Sequence, residues 1–297
     1  ALYRSLLAPL EAELQAAQAR TLVLSLTDSL RYLPFAALHD GRGWLVERFA
    51  IGQVVLGAPL SGPEGSARPW RVAGLGTTRA IDPFVALPGV RQELQAIVRR
   101  EDAAEGTGLL PGTIALDEEF GRRRLADALR GDYPVVHVGS HFVFQPGDES
   151  ASFLLLGDGQ RFTLGEFAAL DYRGVQMLTL SACDTASGGG HDQRGVEVEG
   201  LATIVVQRGA QSVLATLWPV ADPSTLLLMR SFYAQRVGAS PTGRAAALRQ
   251  AQLRLLEQYP DYVFIQSQPA SYEMCQKHYP GLFEKVRQAV KEGRWVA

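Results

Sequence analysis

Hydrophobic positions along this chain follow two rhythms. Near the start, Leu6, Leu7, Leu10, Leu14 and Ala17 recur at helical spacing and predict a helix over residues 6–18. Compact apolar runs predict strands at 21–26, 71–76, 133–141, 175–183 and 211–217, and residues 44–55 read as a strand pair or an edge segment. Helical patterns occupy 87–100, 118–129, 196–207, 223–237 and 242–257. Pro88 stands near the start of the first of these, where proline is tolerated, and Asp117 is placed to cap the next. Residues 60–69, 106–112 and 145–150 read as loops, and Gly157-Asp-Gly159 between two apolar runs predicts a hairpin. Strands alternating with helices predict an α/β fold: a mainly parallel sheet flanked by helices on both faces. No internal repeat or low-complexity tract interrupts the pattern.

Composition narrows the function classes. The chain has 297 residues, 46% hydrophobic and 20% charged, with a formal net charge of -2. That is enough for one large domain or two small ones. The charge balance suggests neither a nucleic-acid surface nor a membrane-seeking one, and no apolar run approaches the ~20 residues of a membrane span. Two cysteines, Cys183 and Cys275, do not make a disulfide scaffold. They predict a reducing, cytoplasmic setting in which Cys183 is a thiol. The first residues do not read as a secretory signal. The sequence opens at Ala1 in a segment already patterned as a helix, and it is expected to be a piece of a longer protein.

Two of the predicted strands end in reactive side chains. Tyr133-Pro-Val-Val-His-Val-Gly-Ser-His141 is one, and Val175-Gln-Met-Leu-Thr-Leu-Ser-Ala-Cys183 is the other. A thiol needs a neighbouring base to become a strong nucleophile. Adjacent parallel strands bring His141 and Cys183 to one carboxyl edge, where open α/β sheets place their sites. The pair predicts a Cys-His hydrolase, with a peptidase as the first expectation. His137, four residues before His141, is on the same strand face and is expected to be structural.

Several motifs, taken in order, carry a family resemblance. They are Leu33-Pro-Phe-Ala-Ala-Leu38, Leu87-Pro-Gly-Val-Arg-Gln-Glu-Leu94, His137-Val-Gly-Ser-His141, Leu180-Ser-Ala-Cys-Asp-Thr185, Gly195-Val-Glu-Val-Glu-Gly-Leu201, Gly209-Ala-Gln-Ser-Val213 and Leu217-Trp-Pro-Val220. Over residues 2–256 the chain resembles the CHAT domain family, caspase-like cysteine peptidases of clan CD often attached to tetratricopeptide repeats. The resemblance implies His141 as base and Cys183 as nucleophile, with the backbone N–H groups of Phe142 and Cys183 as oxyanion hole. It implies no metal or organic cofactor. Family members usually carry glycine where Phe142 stands, so the phenyl ring is expected to narrow the cleft. Ser181 is at a position that lines the pocket for the residue before the cut. Being small and neutral, it gives that pocket no charge. The implied role is cleavage of one or a few protein substrates in prokaryotic signalling, defence or cell death, under control of attached repeats or a regulatory partner.

Residues 259–297 depart from the family pattern and resemble a fragment of the N-terminal region of family 38 α-mannosidases. The chain is therefore expected to divide into a peptidase domain, 1–258, and an atypical tail, 259–297, with Tyr262-Val-Phe-Ile265 a candidate closing strand.

Other readings of these residues are weaker. Gly74-Leu-Gly76 lacks the third glycine of a dinucleotide loop, because position 79 is arginine. His137, His141 and Cys183 match no zinc-ligand spacing. Asp184 and Asp222 are each expected either to face substrate or to cap a helix. His191 sits in a glycine-rich loop that frames the cleft or is simply solvated. The rival to an enzyme is a catalytically silent CHAT-like interaction module. A glycosidase suggested by the tail lacks candidate zinc ligands there.

Overall fold

The structure is a computed structural model. It describes residues 2–26, 30, 33–55, 68–100, 108–143, 151–181, 196–216, 222–237 and 242–258, without the side chains of 131–132, 196–200 and 222–224. The predicted tail, Cys183, Asp184 and His191 lie outside the described residues.

The strands are β1 (Thr21–Leu24), β2 (Ala50–Gln53), β3 (Val72–Gly76), β4 (Val98–Arg100), β5 (Leu110–Leu116), β6 (Val135–Gly139), β7 (Phe142–Val143), β8 (Phe153–Leu155), β9 (Arg161–Thr163), β10 (Met177–Ser181) and β11 (Val213–Ala215). The helices are α1 (Leu2–Leu6), α2 (Glu11–Ala16), α3 (Leu45–Arg48), α4 (Gly89–Ile97), α5 (Arg122–Asp127), α6 (Leu164–Ala168), α7 (Val196–Gln207), α8 (Asp222–Ala234) and α9 (Arg244–Gln258). The central sheet has the order β11-β10-β6-β3-β5-β4, and every pairing in it is parallel. This is the expected caspase-like α/β sheet.

Alternation along the strands sorts the core into two layers. Ala73, Leu75, Val136, Val138, Leu178 and Leu180 meet Leu125 of α5, Phe167 of α6 and Leu201 and Val205 of α7. Val72, Val135 and Met177 meet Ile97 of α4, Met229, Phe232 and Tyr233 of α8, and Ala247 and Ala251 of α9. Burying each of the larger side chains is worth about 1.5–3 kcal/mol. Ahead of the sheet, β1 and β2 pair in parallel over a small core of Tyr3, Leu7, Leu22, Phe35, Leu38, Leu45 and Phe49. Arg249 of α9 donates to the backbone oxygens of Val46 and Glu47 and ties this lobe to the main layer.

The structure corrects several boundaries. Pro9 divides the expected first helix: a 3-10 turn, Ala8–Leu10, separates α1 from α2. Residues 45–48 are helical rather than extended, so only the second half of 44–55 is strand. The helix expected to reach 100 stops at Ile97 and continues directly as the edge strand β4. Residues 110–112, read as loop, begin β5. Gly112 pairs with Val72, and a Cβ there would stand 1.9 Å from the Val72 oxygen, so only glycine fits. Asp117 does not cap α5, whose N-cap is Gly121. Among the described residues no helix is long and apolar enough to cross a membrane.

Candidate active site

Three strands end at one level. Gly76 pairs with Gly139, and Gly139 with Ser181, so β3, β6 and β10 release their chains side by side at the carboxyl edge. A Cβ on Gly76 or Gly139 would come within 2.4 or 2.8 Å of a Val90 methyl. Glycine at both positions lets α4 lie close over this edge. The chain after β6 carries Ser140 and His141. The chain after β10 leads, two residues beyond Ser181, to Cys183.

His141 is fully buried, and its Nε2 lies 2.8 Å from the Val85 carbonyl oxygen. A carbonyl oxygen only accepts, so Nε2 carries the hydrogen in this contact. In the neutral ring Nδ1 then carries the lone pair and is the basic nitrogen. The imidazole also rests against Phe84, with ring centroids 5.1 Å apart and a 36° tilt. On the main chain, Thr77 N–H donates to the Gly139 oxygen (2.9 Å) and Ser140 N–H to the Ser181 oxygen (3.3 Å). The Ser140 hydroxyl donates to the Leu155 oxygen at 2.6 Å. The backbone on the amino side of His141 is therefore held from both neighbouring strands.

The segment that supplies Val85 is itself fastened. Ile81 and Phe84 exchange backbone hydrogen bonds of 3.0 and 2.6 Å, and Leu87 N–H reaches the Thr78 oxygen. Asp117, at the end of β5 with φ 54°, takes the Thr78 N–H (2.8 Å), the Thr78 hydroxyl (2.8 Å) and the Arg79 N–H (3.3 Å) on its carboxylate. Burial alone would raise the Asp117 pKa. The Thr78 and Arg79 donors outweigh it and hold the carboxyl below its ordinary value. Asp117 thus fastens the start of the loop whose carbonyl orients His141.

Phe142 opens β7. Its ring is buried in the core with Leu154 and Phe162, so the expected narrowing of a cleft by this side chain is not what its placement shows. The Leu155 N–H donates to the His141 oxygen, which makes Phe142–Leu154 the non-hydrogen-bonded pair of the antiparallel ladder. The Phe142 N–H therefore points away from β8.

Ser181 is buried, and its hydroxyl donates to Glu93 Oε1 at 2.7 Å. The same carboxylate oxygen is 3.0 Å from His137 Nε2, though not aligned as a hydrogen bond. On its other side, His137 Nδ1 is 3.1 Å from the Tyr233 hydroxyl, which is 2.9 Å from Thr179 Oγ1. Burial pushes the Tyr233 phenol well above its ordinary pKa. The Thr179 hydrogen bond opposes the shift, and the nearby Glu93 charge adds to it. His137 is accordingly a buried member of a polar row beneath the carboxyl edge. Asp222 is the first residue of α8. An open depression of about 560 Å³ bordered by Arg130, Leu170, Asp171 and Arg173 lies where the chain enters β6 and β10, at the opposite edge from His141.

Sequence reasoning singled out His141 but not the groups that the structure sets around it. A backbone carbonyl such as that of Val85 leaves no residue-type signature. Glu93 did leave one, as an acid within the apolar stripe Val90, Leu94 and Ile97 of α4.

The family model described as CHAT domain matches residues 1–276, which extends into the segment set apart as a tail. No curated protein matches the chain.

Proposed function

Because the chain belongs to the CHAT domain family, a caspase-like group related to cysteine peptidases, we propose that it is a cysteine endopeptidase using a His141–Cys183 dyad. The observation that carries this reading is the setting of His141. It is a buried imidazole at the carboxyl edge, fixed through Nε2–H to the Val85 oxygen, with Nδ1 as its basic nitrogen. Its strand neighbours β10, which leads two residues on to Cys183.

The reaction follows from these groups. Nδ1 takes the proton of the Cys183 thiol, and the sulfur forms a bond to the carbonyl carbon of a substrate peptide. The carbonyl π electrons move to oxygen, where the outward-pointing Phe142 N–H and the Cys183 N–H act as donors. Collapse breaks the C–N bond, the leaving amine takes the proton from His141, and a thioester remains. Water, deprotonated by His141, hydrolyses the thioester and regenerates the thiol. The Val85 oxygen keeps the imidazolium oriented throughout. The substrate is a protein. Asp184 and Asp222 are its candidate contacts, Ser181 being buried against Glu93, and attached tetratricopeptide repeats or a regulatory partner control access. A cytoplasmic, prokaryotic setting fits this role.

The test is labelling by a set of peptidyl acyloxymethyl ketones, read by mass spectrometry, on wild type, Cys183→Ala and His141→Ala. Modification of Cys183 that disappears in His141→Ala is the expected result. Equal labelling of Cys183 and Cys275, indifferent to His141, would overturn the reading in favour of a silent interaction module.

A further inference from the structure

Glu93 has no part in the bond-making steps above, yet its carboxylate lies against both strands that carry the proposed dyad. It projects from α4 into the layer between helix and sheet, only 4% exposed. One oxygen, Oε1, serves both catalytic strands. It accepts from Ser181 on β10, two residues before the nucleophile, and faces His137 on β6, four residues before the base. The groups around it are Ser181 from β10, His137 from β6 and, beyond His137, Tyr233 from α8. No lysine or arginine pairs with Glu93 among the described residues. The same helix face presses Val90 into the places left by Gly76 and Gly139, at the level of Ser181. Helix α4 also begins directly after the loop that holds His141 through Val85.

We propose that Glu93 is a positioning residue: its Oε1 bridge between Ser181 and His137 sets where the end of β10 stands relative to β6, and so the reach between Cys183 and His141. This deepens the dyad reading and rests on it. A carboxylate anchored on a helix is suited to the task. A hydrogen bond from a hydroxyl to a charged oxygen is shorter and stronger than one between neutral groups, so it fixes distance well. A displacement on the order of 1 Å in such a pair is enough to lower a rate about a hundredfold.

The test is the alkylation rate of Cys183 by iodoacetamide, resolved from Cys275 by peptide mass spectrometry, across pH 5–9 in the full chain. The proteins are wild type, His141→Ala, Glu93→Ala, Glu93→Gln, Ser181→Ala and Glu93→Ala/Ser181→Ala. Of the series, wild type is expected to retain the fastest reaction as the pH falls, because the imidazolium stabilises the thiolate. Glu93→Ala should move the pH midpoint toward that of His141→Ala and slow the reaction at pH 6 roughly tenfold. Glu93→Gln keeps an acceptor for the Ser181 hydroxyl and should recover most of the rate. The double variant should be no slower than Glu93→Ala, since both changes break one bridge. Ser181→Ala, a minimal truncation, keeps the test valid if Glu93→Ala does not fold. A wild-type midpoint in Ser181→Ala, and in Glu93→Ala where it folds, with His141→Ala shifted, would overturn the positioning role while leaving the dyad intact. An unshifted midpoint in His141→Ala would overturn the dyad, and this inference with it.

Discussion

The two faces of the central sheet are built differently. Facing α5, α6 and α7, the strands present Ala73, Leu75, Val136, Val138, Leu178 and Leu180, an apolar layer. Facing α4 and α8, the same β6 and β10 present His137, Thr179 and Ser181, joined through Glu93 and Tyr233. Apolar contacts are non-directional, so the first face contributes stability but tolerates small shifts. Hydrogen bonds fix distances and angles, and leaving a buried polar group unmet is costly. The polar row lies on the face covered by α4, beneath the aligned ends of β3, β6 and β10.

The largest effect is expected from truncating the apolar face. Phe167→Ala removes a fully buried ring from α6 and should cost about 3–5 kcal/mol of unfolding free energy, read by urea titration, with Cys183 reactivity of the folded fraction unchanged. On the polar face, Tyr233→Phe keeps the ring but takes the hydroxyl from between His137 and Thr179. It should cost about 1–3 kcal/mol in the same titration. A loss as large as that of Phe167→Ala, or none, would remove the distinction between the faces.

Asp117 gives the comparison a pH axis. Its folded pKa lies below the ordinary 3.8, so it adds stability above that value, lost as the pH falls through the lower folded one. Asp117→Asn, compatible with the φ of 54°, should cost roughly 1 kcal/mol at neutral pH. The gap from wild type should close in acid below pH 3.8, followed by urea titration at several pH values. A gap independent of pH would mean the carboxylate charge is not what fastens the Thr78 loop. The smallest effect should come from outside both faces. Arg123→Ala breaks an exposed i,i+4 pair with Asp127 and should change unfolding free energy by less than roughly 0.5 kcal/mol.

What could be read from sequence follows from where the information resides. Strands β3, β6 and β10 are buried, largely apolar runs and β11 is a half-buried one, and such runs are legible locally. Strand β5 is not, because Pro111 and Gly112 look like a turn until Val72 is known to lie against them. Strand β4 was absorbed into the preceding helix because Val98 directly follows the last turn of α4. His141 announced itself as a residue type at a strand end. Its orienting partner is the backbone of Val85, 56 residues away in sequence, which no side-chain pattern encodes. Phe142 misled for a similar reason: the residue type suggested a cleft, whereas ladder alternation turns its ring into the core.

That ladder also imposes a parity rule. In the pairing of β7 with β8, one residue's amide faces outward and the next faces its partner, so a shift by one would exchange them. The outward Phe142 amide would then be consumed by the sheet, and its ring would turn from the core to solvent. A shift by two restores both. A slip of β7 along β8 is therefore expected to leave the Phe142 amide outward in even steps and to turn it into the ladder in odd ones.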